Sequence, residues 1–369
     1  MRALVIIAAA ALALGCSKSN EAGETPKAGE KEAPAPTPKA AEAPAASAAV
    51  PAATKSMFAA LPEKEVANPK NPVTEEKITL GRMLYYDTRF SKNHDLSCNS
   101  CHDLARWGVD AEATSPGHKK QRGDRNSPTV YNAAGHIAQF WDGREPDVEA
   151  QAKGPVLNPV EMAMPDEAQV LETLQSMPEY VAAFQKAFPD DAEPVSYDNF
   201  GKAIGAFERR LLTPGRFDAF LKGDEGALTD AEKKGLNLFV STGCTTCHTG
   251  AYLGGHMYQK AGLVKPWPNQ KDIGRAKVTG NDAEKFFFKV PSLRNVAKTA
   301  PYFHDGSVAS LTEAVKMMAE YQLGKQLSDD DAQSIVTFLE ALTGELPKDY
   351  IAKPELPEST DKTPKPDPN

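Results

Sequence analysis

Through the middle of the chain, apolar residues recur at steps of three and four among polar ones, the period of helices with one buried face. Glu75 to Tyr85 reads as one such helix. Between Asp166 and Phe188, the apolar residues Val170, Leu171, Leu174, Tyr180, Val181 and Phe184 predict a single amphipathic helix bent at Pro178. Tyr197 to Leu212 is another. Thr229, with Glu232 three residues on, forms a capping box that opens a helix ending near Gly243. Leu311 to Tyr321 and Asp329 to Leu342 complete the set, the second capped by Ser328 and stopped by Gly344. No alternating, strand-like run exceeds a few positions. The fold class expected is mainly α, with long loops and few short strands.

The periodicity is lost at both ends. Residues 17–56 are Ala, Pro, Lys, Glu and Ser with almost no large apolar side chain, so they predict a disordered linker. The C-terminal extension, residues 346–369, is expected to pack back at first and to loosen beyond Pro357. At the N-terminus, Arg2 precedes an apolar stretch from Ala3 to Leu14, then small residues and Cys16. That order reads as an export signal, and the stretch is too short to remain as a membrane-spanning helix. Cys16 resembles the lipidated cysteine of bacterial lipoproteins, with Ser17 favouring the outer membrane. An ordinary signal peptide that contains a cysteine is the alternative. Either way the expected location is the periplasm, with any membrane attachment through a lipid anchor.

Composition narrows the class. The chain has 369 residues, 41% hydrophobic and 25% charged, which excludes a multi-span membrane protein and allows two compact domains. A net charge of −8 provides no basic footprint for nucleic acid but suits docking of a small basic partner.

Of the five cysteines, four fall as two Cys-x-x-Cys-His units: Cys98 to His102 and Cys244 to His248. Two thiols at this spacing reach the two vinyl groups of one porphyrin, and the adjacent histidine then lies beneath the iron. Zinc would need the motifs to converge, and a thioredoxin-like pair would need a βαβ context that is absent. Each unit follows a helix of similar build: Leu80-Gly81-Arg82 then Tyr85, and Lys234-Gly235 then Phe239. This repeat predicts two cytochrome c-like haem domains in tandem, residues 57–211 and 212–345, with two covalently bound haem c groups.

Longer stretches carry a specific resemblance. Leu80-Gly81-Arg82 with Asp87-Thr88-Arg89, Asn126 to Thr129, Phe140 to Arg144, Asn158 to Met162, Asp272 to Arg275, Lys289 to Asn295 and Pro301 to Gly306 resemble, in order, the bacterial di-haem cytochrome c peroxidases. The resemblance implies reduction of hydrogen peroxide with electrons from a small mono-haem cytochrome c or a cupredoxin. It implies that His102 is the proximal ligand of the N-terminal, peroxidatic haem. It makes His118 the distal ligand, on a loop that leaves the iron on reductive activation. Read from the residues alone, a solvated surface histidine fits His118 equally well. Glu161 and Gln151 resemble the distal acid–base and orienting pair. His248 and Met318 resemble the ligands of the C-terminal, electron-transfer haem, with Met257 a rival and core packing the bland alternative for Met318. Trp141 resembles the tryptophan between the haems, though a core aromatic would also serve. Asn126, with the carbonyls of Thr299 and Pro301, resembles a calcium site. His304 is expected to be a hydrogen-bonding residue near the haem interface. Family members commonly form homodimers. Two other functions compete: a MauG-like di-haem oxidase of a protein substrate, in which a tyrosine stands where Met318 does, and a di-haem electron carrier without catalysis.

Overall fold

The computed structural model describes residues 48–369; the proposed lipidation site Cys16 lies outside them. Among the described residues seven helices have nine residues or more: α1 (Glu75–Tyr86), α2 (Glu167–Gln175), α3 (Pro178–Ala187), α4 (Tyr197–Glu208), α5 (Asp230–Thr242), α6 (Leu311–Leu323) and α7 (Asp329–Glu340). One two-stranded antiparallel ribbon joins β1 (Tyr258–Lys260) to β2 (Phe287–Lys289), with Tyr258 opposite Lys289. The architecture is mainly helical, as the periodicity predicts.

The local signals act where they stand in the sequence. The Thr229 hydroxyl accepts from the Glu232 amide, and the Glu232 carboxylate accepts from the Thr229 amide. At the other end of α5, Gly243 adopts φ +101°, a left-handed conformation that glycine enters without steric cost. The single bent helix expected over 166–188 is instead two helices. α2 ends at Gln175 and Pro178 starts α3, where its missing N–H costs nothing.

Two hydrophobic cores result. The first gathers residues of α1 to α4, including Leu80, Tyr85, Phe184, Phe200 and Phe207, with Phe90 from the turn after α1. The second gathers α5 and α7 with Phe217, Phe220 and Leu253. Their central crossings repeat. Where α1 meets α4, a Cβ on Gly81 would strike the Ala203 carbonyl and come within 3.0 Å of the Phe207 Cβ. Where α5 meets α7, a Cβ on Gly235 would strike the Ser334 carbonyl and come within 3.0 Å of the Phe338 Cβ. Four residues beyond each glycine an aromatic ring packs at a similar pitch: Tyr85 on Phe207 at 5.4 Å and 61°, Phe239 on Phe338 at 5.3 Å and 58°. Both helix pairs therefore approach closely only because the contact residue lacks a side chain. Gly235→Ala is expected to cost about 1–3 kcal/mol through overpacking, since backbone cannot yield as a flexible side chain would. A denaturant midpoint equal to the parent's would contradict that.

Residues 48–56 and the C-terminal extension are more ordered than composition suggests. Residues 48–56, assigned to the linker, lie on the second core: Val50 packs against it, and the Asn237 amide donates to the Ala49 carbonyl at 3.0 Å. Phe58, at the start of the range expected for the first domain, also joins the second core, edge-on to Phe217 at 5.6 Å. The C-terminal extension does not loosen after Pro357. Ile351 enters the first core, and Thr363 is buried with its hydroxyl accepting from Ser176 at 2.9 Å. The Asp367 amide donates to the Lys92 carbonyl. Hydroxyl and backbone hydrogen bonds hold this segment, and hydropathy patterns do not register them.

Candidate functional site

The two Cys-x-x-Cys-His units lie on different cores, Cys98 packed against the first and Cys244 against the second, so they do not form one four-sulfur centre. In each unit the first cysteine opens a single short turn, and the histidine amide donates back to that cysteine's carbonyl at 3.0 Å. Burial pushes the thiols of Cys98 and Cys244 up to about 12 and that of Cys101 to about 11.

His248 is half-buried, and desolvation lowers its pKa to about 4. Its Nδ1 lies 2.8 Å from the Leu253 carbonyl. A carbonyl can only accept, so Nδ1 carries the proton and the Nε2 lone pair is left for a metal. The ring borders an apolar cavity of about 280 Å³, more than ten times the room one water needs. Cys244, Cys247 and Met318 border the same cavity. Met318 stands on α6, whereas Met257 is not among the lining residues. A thiol pair, a tautomer-fixed imidazole, a thioether and an apolar cavity together fit a c-type haem.

Trp141, Asn126, Thr299, Pro301 and His304 also border this cavity. The Trp141 indole donates to the Asn126 carbonyl at 2.9 Å. The Asn126 side-chain amide donates to the Glu112 carbonyl at 2.9 Å, which leaves its oxygen available as a hard donor. His304 is 5% exposed, its ring stacks on Phe288 at 4.3 Å, and its Nε2 has no hydrogen-bond partner. Only its backbone carbonyl bonds locally, accepting from the Asn126 amide. Aromatic packing on one face leaves the nitrogen no protein partner.

Around the first motif, His102 is half-buried and its pKa is lowered by desolvation, with Asp110 and the backbone of Gly108 and Pro128 opposing. Its Nδ1 makes no hydrogen bond of good geometry. The Tyr85 hydroxyl anchors the motif from α1, donating to the His102 carbonyl at 2.7 Å. His118 is 6% exposed, so the surface-histidine reading fails. Its amide donates to the Glu161 carbonyl at 2.7 Å, and a Cβ on the preceding Gly117 would strike the Val160 carbonyl. Lys119 and Lys120, next in the chain, both have positive φ, 55° and 60°. Two successive non-glycine residues there store local strain. Burial raises the Glu161 pKa against the influence of Arg144 and Asn158, and the Glu161 charge in turn helps raise that of Cys101. The fold thus brings Cys101, His118 and Glu161 to one place. Gln151 closes a short helix, Val148–Gln151, and is half-buried; its side chain makes no hydrogen bond to Glu161.

These arrangements acquire a meaning from relatives. The family profile described as di-haem cytochrome c peroxidase matches residues 75–226. The cytochrome c551 peroxidase of Pseudomonas aeruginosa is 48% identical over 84% of this chain and 90% of its own length. This chain belongs to the di-haem cytochrome c peroxidase family. The cytochrome c551 peroxidase of Nitrosomonas europaea is 45% identical over 80% of this chain and 88% of its own length. A solved structure of a MauG-like protein associated with microbial copper homeostasis superposes with a TM-score of 0.69 at 28% identity, covering 80% of this chain and 98% of that one. As a family member the chain is an oxidoreductase of the peroxidase type, with two haem c groups as its cofactors. Among the described residues no helix is long and apolar enough to cross a membrane.

Sequence reasoning missed several residues of these sites. Asp110 acts electrostatically on both His102 and Cys101, yet belongs to no motif. His136 and Lys289 border the cavity at His248. Lys289 begins one of the family stretches, but its side chain's surroundings have no sequence signature.

Proposed function

We propose that this peroxidase reduces hydrogen peroxide to two waters with two protons from solvent and two electrons from a small periplasmic redox protein, a mono-haem cytochrome c or a cupredoxin. The bound haems supply redox storage and an iron site for peroxide. In this reading residues 57–211 and 212–345 are tandem haem domains. His102 and His118 would hold the peroxidatic group, and His248 and Met318 would hold the electron-transfer group. Trp141 stands between them. Glu161 takes a proton from the inner peroxide oxygen and delivers it to the outer one, while Gln151 orients the substrate. Asn126, Thr299 and Pro301 contribute oxygens to a calcium ion. Export, lipidation at Cys16 and a homodimer complete the proposal.

The observation that carries it is the bond from the His118 amide to the Glu161 carbonyl. The loop bearing His118 is latched to the segment bearing the acid–base group, so a movement of that loop would also reposition Glu161. Strain at Lys119 and Lys120 keeps an alternative loop conformation within reach. The pairing of His248 with a thioether from a helix has no such latch.

A spectroscopic titration tests this. On half-reduction one haem is expected to turn from low-spin to high-spin and to bind cyanide, while the other stays low-spin. A chain with both haems attached that bound no exogenous ligand at either oxidation level would be an electron carrier instead.

A further inference from the structure

The cavity at His248 contains a pair of cationic-type side chains that none of the roles above uses. The Lys289 ammonium nitrogen lies 3.0 Å from Nδ1 of His136. Both side chains border the cavity, and Lys289 is 8% exposed. Lys289 is fixed in β2, where its amide donates to the Trp141 carbonyl at 2.8 Å. His136 is fixed by Tyr252, whose ring meets it edge-on at 5.6 Å. We propose that Lys289 and His136 form an anion-holding dyad that grips a carboxylate of the haem at His248 and thereby sets that haem's reduction potential.

Hydrogen-bond accounting supports the dyad. An ammonium can only donate, so Nδ1 of His136 accepts and the ring's proton is on Nε2. That Nε2 is buried and has no partner. Lys289 has further N–H donors beyond the one His136 uses. The pair therefore directs unused donors at its surroundings and no acceptor.

Charge accounting gives the same answer. Among the described residues no carboxylate answers this cation. The one ionisable group that acts on His136 is Lys289, and burial alone acts on Lys289. Burial brings Lys289 down to about 8, so it keeps its charge below that pH even without a partner. A buried, unpaired charge is costly unless an anion completes the site. A c-type haem joined to Cys244 and Cys247 has carboxylate side chains on its porphyrin rim, in the same cavity. A carboxylate or other anion from solution is the second source of this chemistry, and the test separates the two.

The inference rests on the reading that a haem is held by His248. The readout is the midpoint potential of that haem in the intact, twice-haemylated protein, by spectroelectrochemical titration at mildly acid pH. A nearby cation favours the added electron, so Lys289→Met is expected to disfavour one-electron reduction about tenfold, a fall of about 59 mV for a one-electron couple. Lys289→Arg keeps the charge and should restore most of the potential. In the parent, raising acetate or chloride at constant ionic strength should leave the potential unchanged. Equal potentials in parent and Lys289→Met would overturn the proposal. A potential that tracked the added anion in the parent but not in Lys289→Met would also overturn it, by showing a dissolved anion in the site. Haem content and the ligand-field spectrum of each sample report separately on attachment at Cys244 and Cys247 and ligation by His248. Failure there would count against the haem reading itself and not against the dyad.

Discussion

Glu161→Gln lowers peroxide turnover with a reduced cytochrome donor by about 10²- to 10⁴-fold, the range for losing a positioned acid–base group. The substitution keeps size and hydrogen-bonding capacity and removes only the ability to exchange a proton. Glu161 is suited to that exchange because burial raises its pKa against Arg144 and Asn158, which keeps the acid form accessible nearer to neutrality. The loss should appear in kcat and kcat/KM together, since the proton moves during O–O cleavage and not on binding. Cyanide binding by the half-reduced variant should persist, because the His118 latch uses the Glu161 backbone carbonyl and not its side chain. Turnover within a factor of two of the parent's would remove Glu161 from the mechanism. Turnover by the parent no greater than the variant's would favour an electron carrier over an enzyme.

The largest effect on stability is expected at Asp218. Its carboxylate accepts both terminal nitrogens of Arg294, at 2.8 and 3.0 Å, and the amides of Leu61 and Gly215, at 2.8 and 2.9 Å. Asp218 is 4% exposed and Arg294 2%. The same arginine donates through Nε to the Ala251 carbonyl at 2.8 Å. Ala251 lies in the turn that presents the Leu253 carbonyl to His248. Asp218→Asn leaves the guanidinium buried without its counter-charge, a change that costs about 3–5 kcal/mol. Denaturant unfolding of the haem-loaded protein measures it. Adding Arg294→Met to Asp218→Asn should recover much of the loss, because the unpaired charge then disappears as well. A single-variant cost below about 1 kcal/mol would mean that water reaches Arg294 and that the pair is not a true interior link.

The helices were legible because their signals are local. The capping box at Thr229 and Glu232, the stop at Gly243 and the cap at Ser328 all form as written, since each needs only its neighbours within a turn. The break between α2 and α3 was less legible. A proline inside a periodic run is compatible with a kink or with two helices, and packing chooses between them. The order of the C-terminal extension was not legible at all. Ser176 and Thr363 are far apart in the chain, and their hydrogen bond has no precursor in either segment's composition.

The same division runs through the candidate sites. By itself the sequence determined the two thiol pairs with their histidines, the helical class and the family, because attachment chemistry and helix periodicity depend on fixed short spacings. Tertiary structure alone decided that Met318 and not Met257 borders the cavity of His248, that His118 is latched to Glu161, and that Lys289 meets His136. Those pairings join residues distant in the chain, and only the close packing of α1 on α4 and of α5 on α7, with the loops they fix, brings such atoms within bonding distance.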